Sequence, residues 1–476
     1  MESGILIPFI GYFLIIIGIG VYASRFSSKG INEYFLGGRG MSRFVVALSA
    51  VVSGRSAWLL LGVTGLAYVQ GISALWAVVG YTVIEFLLFL YYAPRLRDYT
   101  EKHDCITIPD FFAARFSDKN GRLRILIVTI FLLFMVAYVS AQFASGGKAF
   151  FAHFGIPQNT GLIITAVIVL FYTLLGGFMA VSYTDVLQGI MMVLALLVLP
   201  LAGIINAGGW EATMQAIPDA ENGFMNMFSI PALSIIGLAG IGLGSPGNPH
   251  ILVRYMSMKD PAQFRWTAIV GTIWNVIMGL GAVFIGIVGR AYFSEVTLLP
   301  GNDSENIFIT LANELLPSFL VGLILASVFA AIMSTADSQL LVAASSIVRD
   351  IYEKLYKKKQ KVEARSLSFL SRIAVVMLVF TAVLLGLYSQ ELIFWFVLFA
   401  WGGLGAAIGP TSIMALFWKR TTKRGVMAGV IAGAASVILW KNVAVLDAMV
   451  YELIPGFFIS ATVTVLVSVW PSKKKA

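Results

Sequence analysis

The chain has 476 residues, 59% of them hydrophobic and only 12% charged, with a mean hydropathy of +0.88. A soluble protein is about 45–50% apolar and about 25% charged, so a water-facing globular enzyme is excluded on composition. The net charge of +9 would suggest nucleic acid in a soluble chain, but here the placing of the charges decides its meaning. Cys105 is the single cysteine, so no internal disulfide exists and the fold is indifferent to redox compartment.

A bilayer core of about 30 Å needs roughly 20 apolar residues per helix. Runs of that kind recur at 4–22, 44–70, 72–94, 125–154, 161–181, 184–204, 229–249, 264–290, 317–350, 367–389, 391–418, 424–441 and 448–470, about thirteen helices. The first run has no basic segment before it and no small-residue cleavage site after it, so it reads as a retained helix and not a signal peptide. Basic residues crowd alternate connections: Arg25, Lys29, Arg39 and Arg43; Arg95 to Arg124; Arg254, Lys259 and Arg265; Lys354 to Arg372; Lys419 to Arg424; and Lys473 to Lys475. The connections between them carry Glu211, Asp219 and Glu221, then Asp303, Glu305 and Glu314, then Glu391. By the positive-inside rule the N-terminus is outside and the C-terminus cytoplasmic. The positive charge is a topology signal, and nucleic acid is not implied. The lysine clusters 357–361 and 473–475 read as anchors on anionic lipid headgroups.

Two spans carry interruptions. Ser53-Gly54-Arg55-Ser56 sits mid-span in 44–70, and Gly240-Ile241-Gly242-Leu243-Gly244-Ser245-Pro246-Gly247-Asn248-Pro249 cannot be one continuous helix. Counted without the first span, each break falls in the leading helix of a five-helix set. Matching broken helices in two halves point to a transporter's central site. Glycine-rich packing surfaces are the plainer alternative.

Ionisable residues inside the membrane are functional candidates by default. Arg55, Glu85, Asp185 and Asp337 stand out, the last in Ser334-Thr335-Ala336-Asp337-Ser338, where Ser334, Asp337 and Ser338 share one helical face. Hydroxyls, freed carbonyls and a carboxylate suit a hard cation such as Na+. Equally, these hydroxyls can bond the carbonyl one turn back on their own helix. No nucleophile–base constellation, phosphate loop or metal-ligand spacing appears, and His103, His153 and His250 have no partners at metal-site spacing. The chain reads as a non-enzyme.

The motifs Glu33-Tyr34-Phe35-Leu36-Gly37-Gly38-Arg39, Ser56-Ala57-Trp58-Leu59-Leu60, Ile108-Pro109-Asp110-Phe111-Phe112 with Arg115-Phe116, Gly176-Gly177-Phe178 with Tyr183-Thr184-Asp185, Asn248-Pro249-His250 and Ala331-Ile332-Met333-Ser334-Thr335 resemble those of the sodium/solute symporter family over nearly the whole chain. The bacterial sodium/proline symporters look nearest. The resemblance implies an all-α polytopic membrane protein with a LeuT-type inverted repeat of five plus five helices. One transporter domain then fills 1–476: an extra helix and loop (4–43), a first repeat (44–204), a second repeat (229–418) and two final helices (424–470). It also implies a sodium site from the carbonyls of Val52, Arg55 and Ala331 with the side chains of Ser334 and Thr335. A second ion site maps to Asp185, Asp337 and Ser338 with Ser334, Asp337 standing where other members have serine. The substrate positions are Arg55, Ser56, Trp58, Tyr138, Gln142, Ile241 and Ser245.

Departures bear on the solute. Proline symporters carry an acidic residue at the position of Gly54 and no arginine at 55, and they place aromatics where Ile241 and Ser245 stand. Arg55 permits three readings: it binds a substrate carboxylate, it neutralises Asp337, Asp185 or Glu85, or its side chain bonds unwound backbone. The expected activity is secondary active symport, in the plasma membrane, of sodium with a small organic solute: an amino acid or another carboxylate-bearing metabolite, proline among them. A sodium-independent or proton-coupled transporter with Arg55 as internal cation is the alternative. A sensor on the same fold is less favoured, because the chain ends soon after its last apolar run; a channel is less favoured, because paired broken helices suit alternating access.

Overall fold

The computed structural model describes residues 3–27, 31–218, 223–357, 363–388 and 392–470. Lys29, Asp219, Glu221, Lys358, Lys359, Lys361, Glu391 and Lys473 to Lys475 lie outside the described residues. Among the described residues the fold is all helical, apart from one isolated bridge between Met41 and Met258. Helices are what a chain this apolar must form: in hydrocarbon each N–H and C=O has to be satisfied within its own segment.

The long elements are α1 (Ser3–Ser27), α2 (Arg43–Ala57), α3 (Thr64–Gln70), α4 (Leu75–Leu87), α5 (Arg122–Phe154), α6 (Gln158–Leu175), α7 (Phe178–Asn206), α8 (Ala232–Ala239), α9 (Pro249–Ser257), α10 (Phe264–Tyr292), α11 (Ser318–Ser345), α12 (Ala364–Tyr388), α13 (Ile393–Phe417), α14 (Lys423–Asn442) and α15 (Leu453–Val469). Among the described residues nine helical stretches are long and apolar enough to cross a membrane, and three shorter apolar helices join them. One of the nine, Arg43–Lys102, is folded back on itself at Gly71–Ala74. Gly71 makes that turn at φ +65°, with its missing Cβ only 2.0 Å from the Phe224 carbonyl oxygen, so a side chain fits neither conformation nor space.

One boundary differs from the sequence reading. A turn was expected near 180–184, but α6 ends at Gly176 and Gly177, both in extended conformation, and α7 begins at Phe178. Asp185 therefore lies two turns inside α7, fully buried, instead of at its edge. The hydrophobic run continues across the glycine pair, which hides the break from a hydropathy count.

α11 and α13 form the interior. From Leu325 to Ser346 every residue of α11 and its continuation is buried. α1 and α12 keep Leu14, Ile15, Met377 and Phe380 exposed, as lipid-facing helices do. The connections rich in Lys and Arg meet at one end of the bundle. There Arg39 donates to the carbonyls of Thr100, Cys105 and Met256 at 2.9, 2.7 and 3.0 Å. Nearby, Arg115 donates to the Ala415 carbonyl at 2.9 Å, and Arg124 lies between Asp110 and Asp350. At the opposite end Lys148 pairs with Asp303 and Glu305, and Glu305 accepts the first free N–H groups of α13, from Ile393 and Phe394 at 2.8 and 2.7 Å.

Candidate functional site

Both expected interruptions are real, and each opens the backbone for other helices. Ser56 has φ +50° and ψ −172°, which ends α2; the chain resumes as a π-helical turn at Trp58–Val63 before α3. The break releases the N–H of Ala57 and the carbonyl of Ser53, which a continuous helix would join to each other. Side chains from two different helices take them instead. Gln142 on α5 accepts from the Ala57 N–H at 3.1 Å, and Thr335 on α11 donates to the Ser53 carbonyl at 2.9 Å. The second break is a 3-10 stretch, Gly240–Gly247, followed by Asn248, whose side chain donates to the Gly244 carbonyl at 2.8 Å, and by Pro249 opening α9. Its close packing on α4 depends on glycine: a Cβ at Gly242 would stand 2.4 Å from the Gly80 carbonyl oxygen.

The intramembrane charges resolve into two clusters. In the first, Arg55 forms an ion pair with Glu85 on α4, donates from Nε to Asn275 on α10 at 2.9 Å, and lies with its guanidinium 3.7 Å over the Tyr81 ring. Asn275 donates in turn to Glu85 at 2.8 Å, and Ser245, from the second break, donates to the other Glu85 oxygen at 3.1 Å. Glu85 thus joins the two broken helices. Of the three readings of Arg55, this geometry matches neutralisation of Glu85, and the side chain also donates to backbone at the break, the Gly54 carbonyl at 3.4 Å.

In the second cluster, Asp185 on α7 accepts from Ser49 at 2.5 Å, from Ser53 at 3.3 Å and from Arg254 on α9 at 3.2 Å. Arg254 also donates to Ser338 and to the His250 carbonyl. Among the described residues Asp337 accepts from Ser338, at 3.2 Å. Asp337 Oδ2 and Asp185 Oδ1 have no hydrogen-bond partner among the described residues, although both side chains are buried. Ser53 is the bridge between this cluster and the first break, since its hydroxyl reaches the Ser334 carbonyl at 3.2 Å and the Ser338 hydroxyl at 3.3 Å.

Of the residues expected around a sodium ion, Ala331, Ser334 and Thr335 lie on α11 facing the first break, while the Arg55 carbonyl accepts from the Trp58 N–H. Ser334 donates to the Ala331 carbonyl at 3.0 Å and Ser338 to the Ser334 carbonyl at 2.7 Å, so both hydroxyls bond their own helix, whereas Thr335 reaches across to the break. The carbonyl that Thr335 meets belongs to Ser53, next in chain to Val52, whose own side chain packs toward Gly189 on α7. Of the expected solute positions, Ser56, Trp58, Tyr138 and Gln142 cluster at the first break: Tyr138 donates to the Ser56 hydroxyl at 3.4 Å, and the Trp58 ring stacks on Phe394 at 5.5 Å. Ile241 lies at the second break, where its carbonyl accepts from Trp401 at 2.8 Å. Its side chain borders a cavity of about 250 Å³ together with Leu66, Gln70, Leu238 and Trp395, at the Lys148 end of the bundle.

Sequence reasoning missed Arg254, which was counted among the loop cations and is 1% exposed. The available signal was charge balance: Asp185 and Asp337 both needed a cation, and Arg254 lies one helical turn past His250 in the half-helix after the second break. Asn275 and Tyr81 gave no such signal, being ordinary residues of apolar helices.

An all-helical membrane protein whose two broken helices meet over buried charges is the architecture of a secondary transporter. Comparison with known proteins supports that class. A profile of the sodium:solute symporter family matches residues 34–433. The osmoregulated proline transporter OpuE of Bacillus subtilis is 38% identical over 471 residues, covering 98% of this chain and 95% of that protein. The high-affinity proline transporter PutP of Bacillus subtilis is 40% identical over 455 residues, 95% of each, and a sodium/proline symporter of Staphylococcus aureus is 38% identical over 466 residues, 96% of this chain and 91% of that one. The solved outward-open state of a Na+-coupled sialic acid symporter superposes with a TM-score of 0.83 at 19% identity, covering 100% of this chain and 99% of that one. Mhp1, of the nucleobase-cation-symport-1 family, superposes with a TM-score of 0.60 at 12% identity, covering 91% and 94%. The fold is that of the LeuT-type transporters. The chain belongs to the sodium:solute symporter family: it is a multi-pass plasma-membrane protein that couples sodium to solute uptake, and not an enzyme.

Proposed function

We propose that this symporter carries a small zwitterionic solute of the amino-acid class, proline being the first candidate because the relatives named above transport it. The coupling sodium binds where α11 meets the first break, held by Ser334, Thr335 and the carbonyls of Val52, Arg55 and Ala331. The observation that carries this reading is Thr335 reaching across to a carbonyl that the break has freed. Ion binding there ties α11 to α2, which favours one of the two bundle arrangements in alternating access. The solute lies beside it, against Ser56, Trp58, Tyr138 and Gln142 on one side and Ile241 and Ser245 on the other. Charge balance selects its class. Arg55 and Glu85 cancel, so a solute of zero net charge leaves no uncompensated charge in a medium where one is very costly.

Asp185, Asp337 and Ser338 form the second cation position of this reading, with Arg254 already supplying one positive charge to it. The topology belongs to the same proposal: thirteen crossings, an inverted five-plus-five repeat, the Arg39 end in the cytoplasm and the N-terminus outside, with lysine clusters on lipid headgroups. A proton-coupled transporter with Arg55 as internal cation is the second reading, favoured by the Arg55–Glu85 pair.

Purified protein in proteoliposomes tests this. An inward sodium gradient is expected to drive uptake of radiolabelled proline or of another neutral amino acid in a panel. Ser334→Ala and Thr335→Ala are each expected to raise the sodium concentration for half-maximal uptake about tenfold or more, the loss of one ion-ligating oxygen. Uptake that ignores sodium, or sodium activation unchanged in both variants, overturns the ion site.

A further inference from the structure

With Arg55 engaged by Glu85, the carboxylate end of a zwitterion needs other partners. Around Tyr138 there are several buried polar groups without any. Gln142, four residues along α5, spends its carbonyl oxygen on the Ala57 N–H, while its amide nitrogen has no hydrogen-bond partner among the described residues. His250, at the start of α9, is fully buried with its ring edge-on to Tyr138 at 6.0 Å, beside the Ser53 carbonyl. Neither of its ring nitrogens has a hydrogen-bond partner among the described residues. The indole N–H of Trp58 is likewise unpartnered. A buried polar group left unpaired is strongly disfavoured, and several in one place call for a ligand.

Two acceptors at the first break are engaged, the Gln142 oxygen by the Ala57 N–H and the Ser56 hydroxyl by Tyr138 and the Trp58 backbone N–H. Among the unpartnered groups three are donors, the Gln142 amide, the Trp58 indole and the single N–H of the neutral His250 ring, whose tautomer sets which nitrogen carries it. We propose, resting on the reading of the protein as an amino-acid symporter, that His250 is a solute-binding residue which, with Gln142, holds the solute carboxylate by neutral hydrogen bonds. His250 also stands at the Ser53 carbonyl that Thr335 meets, so it is placed where the solute and ion sites join.

Proteoliposome uptake with L-proline, or with whichever neutral amino acid of the panel the unmodified protein takes up, tests the assignment. His250→Phe keeps the ring's bulk and removes both nitrogens; it is expected to raise the solute KM about tenfold or more while the sodium concentration for half-maximal uptake moves less than about twofold. His250→Gln, which restores a donor, is expected to keep the KM within about threefold of the unmodified protein. In the unmodified protein, the methyl ester of the same amino acid is expected to compete at least about tenfold more weakly than the acid. A KM unchanged in His250→Phe, or a methyl ester that competes as well as the acid, overturns the assignment even if a variant folds poorly. If no member of the panel is taken up, the amino-acid reading itself fails and this assignment with it.

Discussion

The two buried charge clusters differ in one respect that governs everything else about them. Around Glu85 every charge is cancelled and the carboxylate accepts from Arg55, Asn275 and Ser245. Around Asp185 there are two carboxylates for one guanidinium, and one oxygen on each carboxylate has no partner among the described residues. The same residue types therefore serve two purposes. A closed, neutral network stitches helices together, as the first joins α2, α4, α10 and the second break. An open network with more carboxyl groups than cations, and with unpartnered oxygens, is a place where a cation has something to gain by binding.

The largest effect is expected from breaking the open cluster on its positive side. Arg254→Met strands Asp185 and Asp337 together without a counter-charge, and unfolding followed by thermal melting in detergent should show a loss of about 3–5 kcal/mol. A melting point unchanged within error means that Arg254 is not the structural counter-ion of Asp185. Next comes the neutral cluster. Glu85→Gln leaves Arg55 unpaired in the core and is expected to cost about 3 kcal/mol, whereas the double change Arg55→Met with Glu85→Met removes both charges and should recover most of that loss. If the double variant melts no higher than the single one, the pair is not self-contained and the contrast between the clusters collapses. Asp337→Asn sharpens it from the other direction: removing surplus charge should leave stability within about 1 kcal/mol or raise it, while changing the sodium dependence of uptake. The smallest effect concerns the distant latch. Lys148→Met should weaken the hold of Glu305 on the start of α13 by about 1–2 kcal/mol, seen as faster hydrogen exchange at Ile393 and Phe394.

Much of this was legible in the chain. Glycine and proline announce both breaks because their backbone consequences are local, and the four intramembrane charges stand out against an apolar background. What hydropathy could not see was pairing. Arg254 looks like a loop cation because it lies near the end of an apolar run, yet the unwound stretch before it shifts its half-helix inward until it meets Asp185. Likewise Glu85 has no sequence neighbour of opposite charge, and its partner comes from 30 positions earlier across a helix interface. The glycine pair at 176–177 is a third case: small apolar residues end a helix without lowering hydropathy, which displaced the expected turn and left Asp185 seemingly at the membrane edge. For the solute, an acidic residue is expected at position 54 in proline symporters. Here a Cβ on Gly54 would lie 3.9 Å from the Glu85 carboxylate, so a neighbouring helix sets an acid beside the same spot.

The packing around Arg39 has a practical corollary. Arg39 clasps the carbonyl of Cys105, the chain's lone sulfhydryl, which is 2% exposed. Burial, with the nearby Asp110 charge, pushes its thiol up to about 12, so almost none of it is thiolate at neutral pH. Alkylation of Cys105 at neutral pH is therefore expected to be slow, which a mass-spectrometric time course of labelling checks.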